Sequence, residues 1–270
     1  MIIFPPCKIN LGLHVLKKRD DGYHEIETCM YPIPLYDILE IVPSELFSFT
    51  SSGLSIPGEL SSNLCVKAFE LIQNNYSIPN VNIHLHKQIP MGGGLGGGSS
   101  DGSYVLRGLN ELFKLQLTDE KLQQFASELG SDCPFFICNE VQLASGRGEI
   151  LEKFPFDLKG YYLKIINIGI HVSTKEAYAN VKMSTNPFKI KEILTSYRLI
   201  DFKNQLTNSF ETSIFKEYPE LEVLKNKLYD DGAIYASMTG SGSTMYGIYK
   251  EEPQKTLENK EVLFELVIPL

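Results

Sequence analysis

Apolar and polar residues alternate through Val81, Asn82, Ile83, His84, Leu85 and His86, the two-residue period of a half-buried strand. Farther on, Val105, Leu109, Leu112 and Phe113 fall at i, i+4, i+7 and i+8, one face of a helix whose cap is expected near Ser99-Ser100. Between them runs Pro-Met-Gly-Gly-Gly-Leu-Gly-Gly-Gly-Ser-Ser-Asp-Gly, from Pro90 to Gly102. The local order is strand, glycine loop, helix.

The same periods organise the rest of the chain. Residues 9–16 alternate loosely and predict an early strand, ended by the turn signal Asp20-Asp21-Gly22. A second strand is expected over 38–42, and the Ser-, Gly- and Pro-rich stretch 43–62 reads as hairpin edges and loops. Leu64, Ala68, Leu71 and Ile72 share a helical face, with Ser61, Ser62 or Asn63 as its cap. Thr118-Asp119-Glu120 opens a helix that turns Leu122, Phe125, Ala126 and Leu129 inward, stops at Gly130 and leaves Asp132 in the exit turn. Residues 152–160 read as a junction, giving domains 1–155 and 156–270. Beyond it come a strand over 161–168 and a helix from Pro219 to Gly232 carrying Leu221, Leu224 and Leu228. Strands over 233–238 and 245–249 then flank Thr-Gly-Ser-Gly-Ser-Thr. With no repeat and no coiled coil, this order predicts an α+β protein of two layers, not a doubly wound parallel sheet.

Six of the seven positions from Gly92 to Gly98 are glycine. Without Cβ atoms, successive amides can turn toward an anion, and the following helix adds its uncapped N–H groups and positive dipole end. A polyphosphate is the natural occupant. Gly92, Gly94 and Gly97 satisfy G-x-G-x-x-G, but no acidic residue ends a second strand at the distance a dinucleotide site needs. The Lys-Ser/Thr that closes a Walker A loop is absent too. A flexible linker is the bland alternative, and the periodic strand and helix on either side argue against it.

Composition narrows the ligand classes. The 270 residues carry a formal charge of −8, which excludes a broad basic surface for nucleic acid or membrane. Positive charge for phosphates must be local, and Lys8, Lys17-Lys18-Arg19, Lys87 and Arg147 are the candidates, each one by itself reading as a solvated surface charge. No segment is apolar for long enough to span a bilayer, and the N-terminus shows no leader pattern, so a cytoplasmic protein is expected. Cysteines at 7, 29, 65, 133 and 138 form no C-x-x-C pair and read as reduced, mostly buried thiols. His84 and His86 form His-x-His without further ligands in range, so they read as surface residues and no metal site is expected among the side chains.

Three separated segments have the residue types that phosphoryl transfer needs: Lys8 with Asn10, the glycine loop, and Asp132 in Gly-Ser-Asp-Cys-Pro. The segment from Pro90 to Asp101 resembles the ATP-binding motif of the GHMP kinases. Gly130-Ser131-Asp132-Cys133-Pro134 looks like that family's catalytic-aspartate segment, and Met238-Thr239-Gly240-Ser241-Gly242-Ser243 like its C-terminal glycine motif. Lys8-Ile9-Asn10-Leu11-Gly12-Leu13, followed by Arg19-Asp20-Asp21-Gly22-Tyr23-His24-Glu25-Ile26-Glu27-Thr28, is similar to the branch that phosphorylates diphosphocytidyl methylerythritol in non-mevalonate isoprenoid synthesis. Nothing in 180–232 matches a motif.

The resemblance implies a two-domain fold, with an N-terminal domain of the ribosomal-protein-S5 second-domain type, a ferredoxin-like C-terminal domain and the active cleft between them. It implies ATP and magnesium as cofactors and a small-molecule acceptor, with no nucleic acid or membrane partner and a monomeric or weakly dimeric state. Asp132 would be the general base and Lys8 would hold it ionised. Pro90, Met91, Gly92, Gly93, Gly94, Leu95, Gly96, Gly97, Gly98, Ser99 and Ser100 would bind ATP, with Asn63 near the adenine or simply capping its helix. Asn10 would contact the acceptor, and Tyr23, His24 and Tyr178 the cytidine, Tyr178 reading equally as a core aromatic. Gly240, Ser241 and Gly242 complete the glycine motif.

Two departures from the family pattern carry expectations. Gly102 replaces the usual Ala and should weaken the first turns of its helix by about 1 kcal/mol. Cys133, in place of an aliphatic residue, is expected to be open to alkylation with loss of activity. The alternatives are another small-molecule kinase of the family, of homoserine or mevalonate type, and a non-catalytic nucleotide sensor.

Overall fold

A computed structural model describes residues 1–186, 189–254 and 262–270. The chain opens with β1 (Ile2–Ile3), β2 (Pro6–Lys18), β3 (His24–Tyr36), β4 (Ile38–Pro43) and β5 (Ser48–Gly53). Next come α1 (Leu64–Asn75), β6 (Val81–Lys87), α2 (Gly97–Leu112), α3 (Asp119–Leu129) and α4 (Cys133–Cys138). They are followed by β7 (Gln142–Ser145), β8 (Ile150–Lys153), β9 (Tyr162–Asn167), α5 (Thr174–Ala179) and α6 (Ile190–Ser196). The C-terminal part holds α7 (Phe202–Gln205), α8 (Glu211–Glu217), α9 (Pro219–Asp230), β10 (Tyr235–Met238), β11 (Met245–Tyr249) and β12 (Phe264–Pro269). Two compact units alternate along the sequence: Met1–Lys8, Pro32–Met91 and Gly96–Glu140 form the first, and Ile9–Tyr31, Gly92–Leu95 and Val141–Leu270 the second.

In the first unit a sheet of order β1-β4-β6-β5 carries the core on one face. Leu39 and Ile41 of β4 lie opposite Leu85 and Ile83 of β6, and all four are buried against Phe69 and Ile72 of α1, Val105 and Leu109 of α2 and Phe125 of α3. Each such side chain contributes about 1.5–3 kcal/mol by leaving water. Alternation then sends His84 and His86 to the other face, where they are half-buried and hydrogen-bonded to Thr50 and Ser52. Their partners belong to β5, which runs parallel to β6 and is not the hairpin edge expected of 43–62.

The second unit contains an antiparallel sheet of order β10-β11-β9-β12. Numbered within that sheet the order is 2-3-1-4, with helices crossing between its first two strands, which is the ferredoxin-like arrangement. Ile166, Met238 and Met245 pack with Leu221, Leu224 and Leu228 of α9 beneath it. The segments of β2 and β3 in this unit belong to a further sheet of order β2-β3-β7-β8. The 13-residue strand β3 escapes pattern reading because Pro32 and Pro34 interrupt its apolar alternation. Among the described residues no helix is long and apolar enough to cross a membrane.

Candidate active site

The first unit brings together Lys8, Asp132 and the start of α2. Lys8 is carried inward by a fully buried stretch of β2, and its Nζ lies 3.3 Å from Asp132 Oδ2. The lysine side chain is 3% exposed and the aspartate 36%, so a nearly desolvated cation holds a carboxylate that solvent still reaches. Asp132 sits in the exit turn after Gly130, as expected, and is also the boundary residue of α4: Cys133 N–H donates to Gly130 O at 3.2 Å and closes the turn, and Pro134 lies in the first turn of the helix.

Beside this pair, Gly96 is left-handed (φ 72°) and α2 begins at Gly97, ahead of the expected Ser99-Ser100 cap. A side chain at Gly96 would meet Phe136 at 2.9 Å and the Lys8 methylene chain at 3.1 Å. Ser100 N–H closes the first turn on Gly96 O at 2.9 Å, which leaves the amides of Gly97, Gly98 and Ser99 without intrahelical acceptors. Ser100 Oγ is buried and has no hydrogen-bond partner among the described residues. A lysine, three amides and a helix dipole thus present positive potential to one place.

Lys87 departs from the surface-cation reading. It is buried, ion-paired to Asp37, and 2.7 Å from Asp101 Oδ2. Asp37 Oδ1 in turn accepts from the amides of Gln88 (2.6 Å) and Ile89 (2.9 Å). Burial is the larger influence on both charged ends of the Lys87–Asp101 pair, yet the two carboxylates hold the lysine above its ordinary value, while burial raises the Asp101 carboxyl. This cluster joins the end of β6 to the first turns of α2, so Lys87 is a structural cation within the first unit.

In the second unit the apex of the loop, Gly92–Leu95, meets the C-terminal glycine motif. Gly94 has φ 79°, and a Cβ there would run into the carbonyl of Thr239. Gly93 O accepts from Thr244 N–H at 3.2 Å, and Gly240 and Gly94 approach backbone to backbone. Gly240 and Gly242 are buried and Ser241 half-buried. Asn10 joins the same place: its N–H donates to Thr239 Oγ1 at 3.1 Å and its Nδ2 to Thr28 Oγ1 at 3.0 Å.

The unmatched stretch 180–232 supplies what holds the motif. Asn208 Nδ2 donates to Met238 O (2.8 Å) and Gly240 O (2.9 Å), and Glu211 accepts from Met238 N–H at 2.8 Å. Thr239, Asn208 and Glu211 were not legible as site residues. Thr239 lies within the recognised motif without having been given a role, but Asn208 and Glu211 carry no local signal because their partners lie about thirty positions away.

The aromatic candidates form a second group in the same unit. His24 and Tyr178 stack at 4.8 Å between centroids and 22° between planes, leaving no room for a base between them. Tyr178 also meets Phe210 edge-on at 4.9 Å and packs on the core, in keeping with its structural reading. Burial and then Lys18 lower the His24 pKa, favouring the neutral ring with one donor and one acceptor. Tyr23 is 55% exposed, with the Arg147 guanidinium 4.7 Å above its ring.

Three further expectations meet their geometry in the first unit. Asn63 caps α1, its side chain accepting from Cys65 N–H at 2.8 Å. At Gly102 a Cβ would lie 2.9 Å from Leu64 Cβ and 3.2 Å from Leu64 O, so the missing methyl lets α1 and α2 approach and is not a simple loss of helix propensity. Cys133 is fully buried and its pKa is pushed up to about 12 by burial, which corrects the expectation of a thiol open to alkylation. No cluster of three or more metal-ligating side chains occurs among the described residues.

Comparison with known proteins agrees with this geometry. Residues 63–140 match the family model for the GHMP kinases N terminal domain, and residues 192–260 that for the GHMP kinases C terminal domain. A 4-diphosphocytidyl-2-C-methyl-D-erythritol kinase of Azobacteroides pseudotrichonymphae is 49% identical over 93% of this chain and 94% of its own. One from Cytophaga hutchinsonii is 46% identical over the full length of both. The crystal structure of a 4-(cytidine 5'-diphospho)-2C-methyl-D-erythritol kinase superposes with a TM-score of 0.76 at 31% identity, over 92% of this chain and 90% of that one. The chain has the two-domain α+β fold of the GHMP kinases and belongs to their 4-diphosphocytidyl-2-C-methyl-D-erythritol kinase family.

Proposed function

We propose that the protein transfers the γ-phosphoryl group of ATP to the 2-hydroxyl of 4-diphosphocytidyl-2-C-methyl-D-erythritol, in the non-mevalonate route to isoprenoids. As a GHMP kinase it is an ATP-dependent phosphotransferase with an alcohol as acceptor. The acceptor is inferred from relatives of that name at 49% and 46% identity, and the chemistry rests on one observation, the Lys8–Asp132 pair at 3.3 Å beside the first turn of α2.

Asp132 orients the acceptor hydroxyl and takes its proton. A carboxylate is a weak base toward an alcohol, so the proton moves late, after the bond to the leaving ADP has loosened. Lys8 pairs with Asp132 and faces the charge that builds on the phosphoryl oxygens. The amides of Gly97, Gly98 and Ser99 receive the phosphates, and the close packing that sets this turn needs glycine at Gly96 and Gly97, where a Cβ would strike Phe136 and Ile89. Magnesium bound with ATP would neutralise phosphate charge. Asn10 contacts the acceptor, and Tyr23 and His24 take the cytosine, by stacking and by the donor and acceptor of a neutral imidazole. The matched segments 63–140 and 192–260 fall either side of position 155 and support a division at 155/156.

The test is ADP release with magnesium and ATP, offering diphosphocytidyl methylerythritol, mevalonate and homoserine in turn. Turnover on the first alone is expected, with Asp132→Asn lowering kcat by about 10²–10⁴-fold. Turnover on another acceptor would overturn the substrate, and ATP binding without transfer to any would leave a nucleotide sensor.

A further inference from the structure

Thr239 is fully buried in the turn between β10 and β11, and the turn does not need its hydroxyl. Backbone bonds from Thr239 N–H to Thr244 O (3.0 Å) and from Gly242 N–H to Thr239 O (3.1 Å) close it, and Asn208 binds the carbonyls of Met238 and Gly240. The hydroxyl is turned to two other segments. Its oxygen accepts from Asn10 N–H at 3.1 Å, and it faces two acceptors, Asn10 Oδ1 at 3.3 Å and Gly94 O at 3.1 Å.

One proton serves both acceptors. Thr28 fixes which atom of Asn10 points at Thr239: Thr28 Oγ1 donates its proton to Gly12 O at 2.6 Å, so it can only accept from Asn10 Nδ2, and Oδ1 must be the atom turned to the threonine. Donation to Gly94 O pins the peptide at the apex of the glycine loop, and donation to Asn10 Oδ1 pins the amide. We propose that Thr239 is a positioning residue that couples the nucleotide loop to the acceptor-binding Asn10, by giving its single hydroxyl proton to one or the other. The inference rests on the proposed roles of the loop and of Asn10. A ligand that orders Gly94 changes which bond the hydroxyl makes, and so changes the state of Asn10 that the second ligand meets.

Calorimetric titration of the full chain with diphosphocytidyl methylerythritol, with and without a non-hydrolysable ATP analogue, reads this coupling as a ratio of affinities. The unaltered protein is expected to give a ratio that departs from unity by at least about fivefold. Thr239→Val, which keeps the shape and loses the hydroxyl, should bring it below about twofold, and Thr239→Ser, which restores the hydroxyl, should recover it. A merely structural threonine would lower melting temperature and leave the ratio alone. Should Thr239→Val not fold, Thr239→Ala is read against Thr239→Ser on the same ratio. A ratio of one in the unaltered protein, or one unchanged on removing the hydroxyl, overturns the proposal while turnover of the acceptor stands. Loss of acceptor binding and turnover in the unaltered protein overturns the functional reading, and this inference with it.

Discussion

A single methyl group decides the packing at Gly102. Helix propensity favours Ala there by about 1 kcal/mol, but the new Cβ would stand 2.9 Å from Leu64 Cβ and 3.2 Å from a backbone carbonyl that cannot swing aside. Overpacking of this kind costs about 1–3 kcal/mol, so Gly102→Ala is expected to lower stability, read as a lower urea midpoint with an unchanged slope. Position 102 shows where sequence reading ends: a departure from a motif is visible along the chain, while the neighbour that explains it is on another helix. Cys133 repeats the lesson, since residue identity suggested a reactive thiol and burial removes it. Asp132 and Lys8 were legible because each stands in a contiguous motif, and only their 3.3 Å separation had to come from three dimensions.

Among elements, the strand β6, the glycine loop and α2 were evident from the sequence, whereas the buried ionic staple between β6 and α2 was not. Lys87 reads as one more polar residue at the end of a strand, and its partners Asp37 and Asp101 are fifty and fourteen positions away. The staple is a liability if broken from the cationic side, because two buried carboxylates would face each other. Lys87→Met is expected to cost about 3–5 kcal/mol of unfolding free energy, measured by urea denaturation, and to raise the KM for ATP more than the KM for the acceptor. Elements carrying little apolar alternation were also lost to pattern reading. β5 presents Ser-Phe-Thr-Ser-Ser-Gly and takes its place from pairing with β6, and α5 to α8 are too short for a helical period to declare itself.

At the scale of the whole molecule, stability should depend on pH through His14 in β2. Its side chain is buried, Thr207 Oγ1 at 3.5 Å is its one hydrogen-bond partner among the described residues, and burial lowers its pKa to about 4. An unfolded histidine takes its proton near pH 6.5, so between that value and about 4 the unfolded chain binds more protons and stability falls as the pH is lowered. The full effect is about 3 kcal/mol. Asp101, raised by burial, works with the opposite sign over its own window, so the measurement is a difference: urea midpoints at pH 7 and pH 4.5 for the unaltered chain and for His14→Leu, with the variant expected to lose less on acidification.

The glycine loop has a partner made late. Gly93 and Gly94 are fastened by Thr244 and Thr239, so a polypeptide that has left the ribosome only as far as β8 already displays the whole phosphate-binding signature and lacks the residues that shape its apex. If the loop holds ATP as proposed, synthesis withholds the shape of its apex until nearly the last strand has emerged, and a message cut short is expected to yield a chain bearing the glycine signature with a weakened hold on the nucleotide.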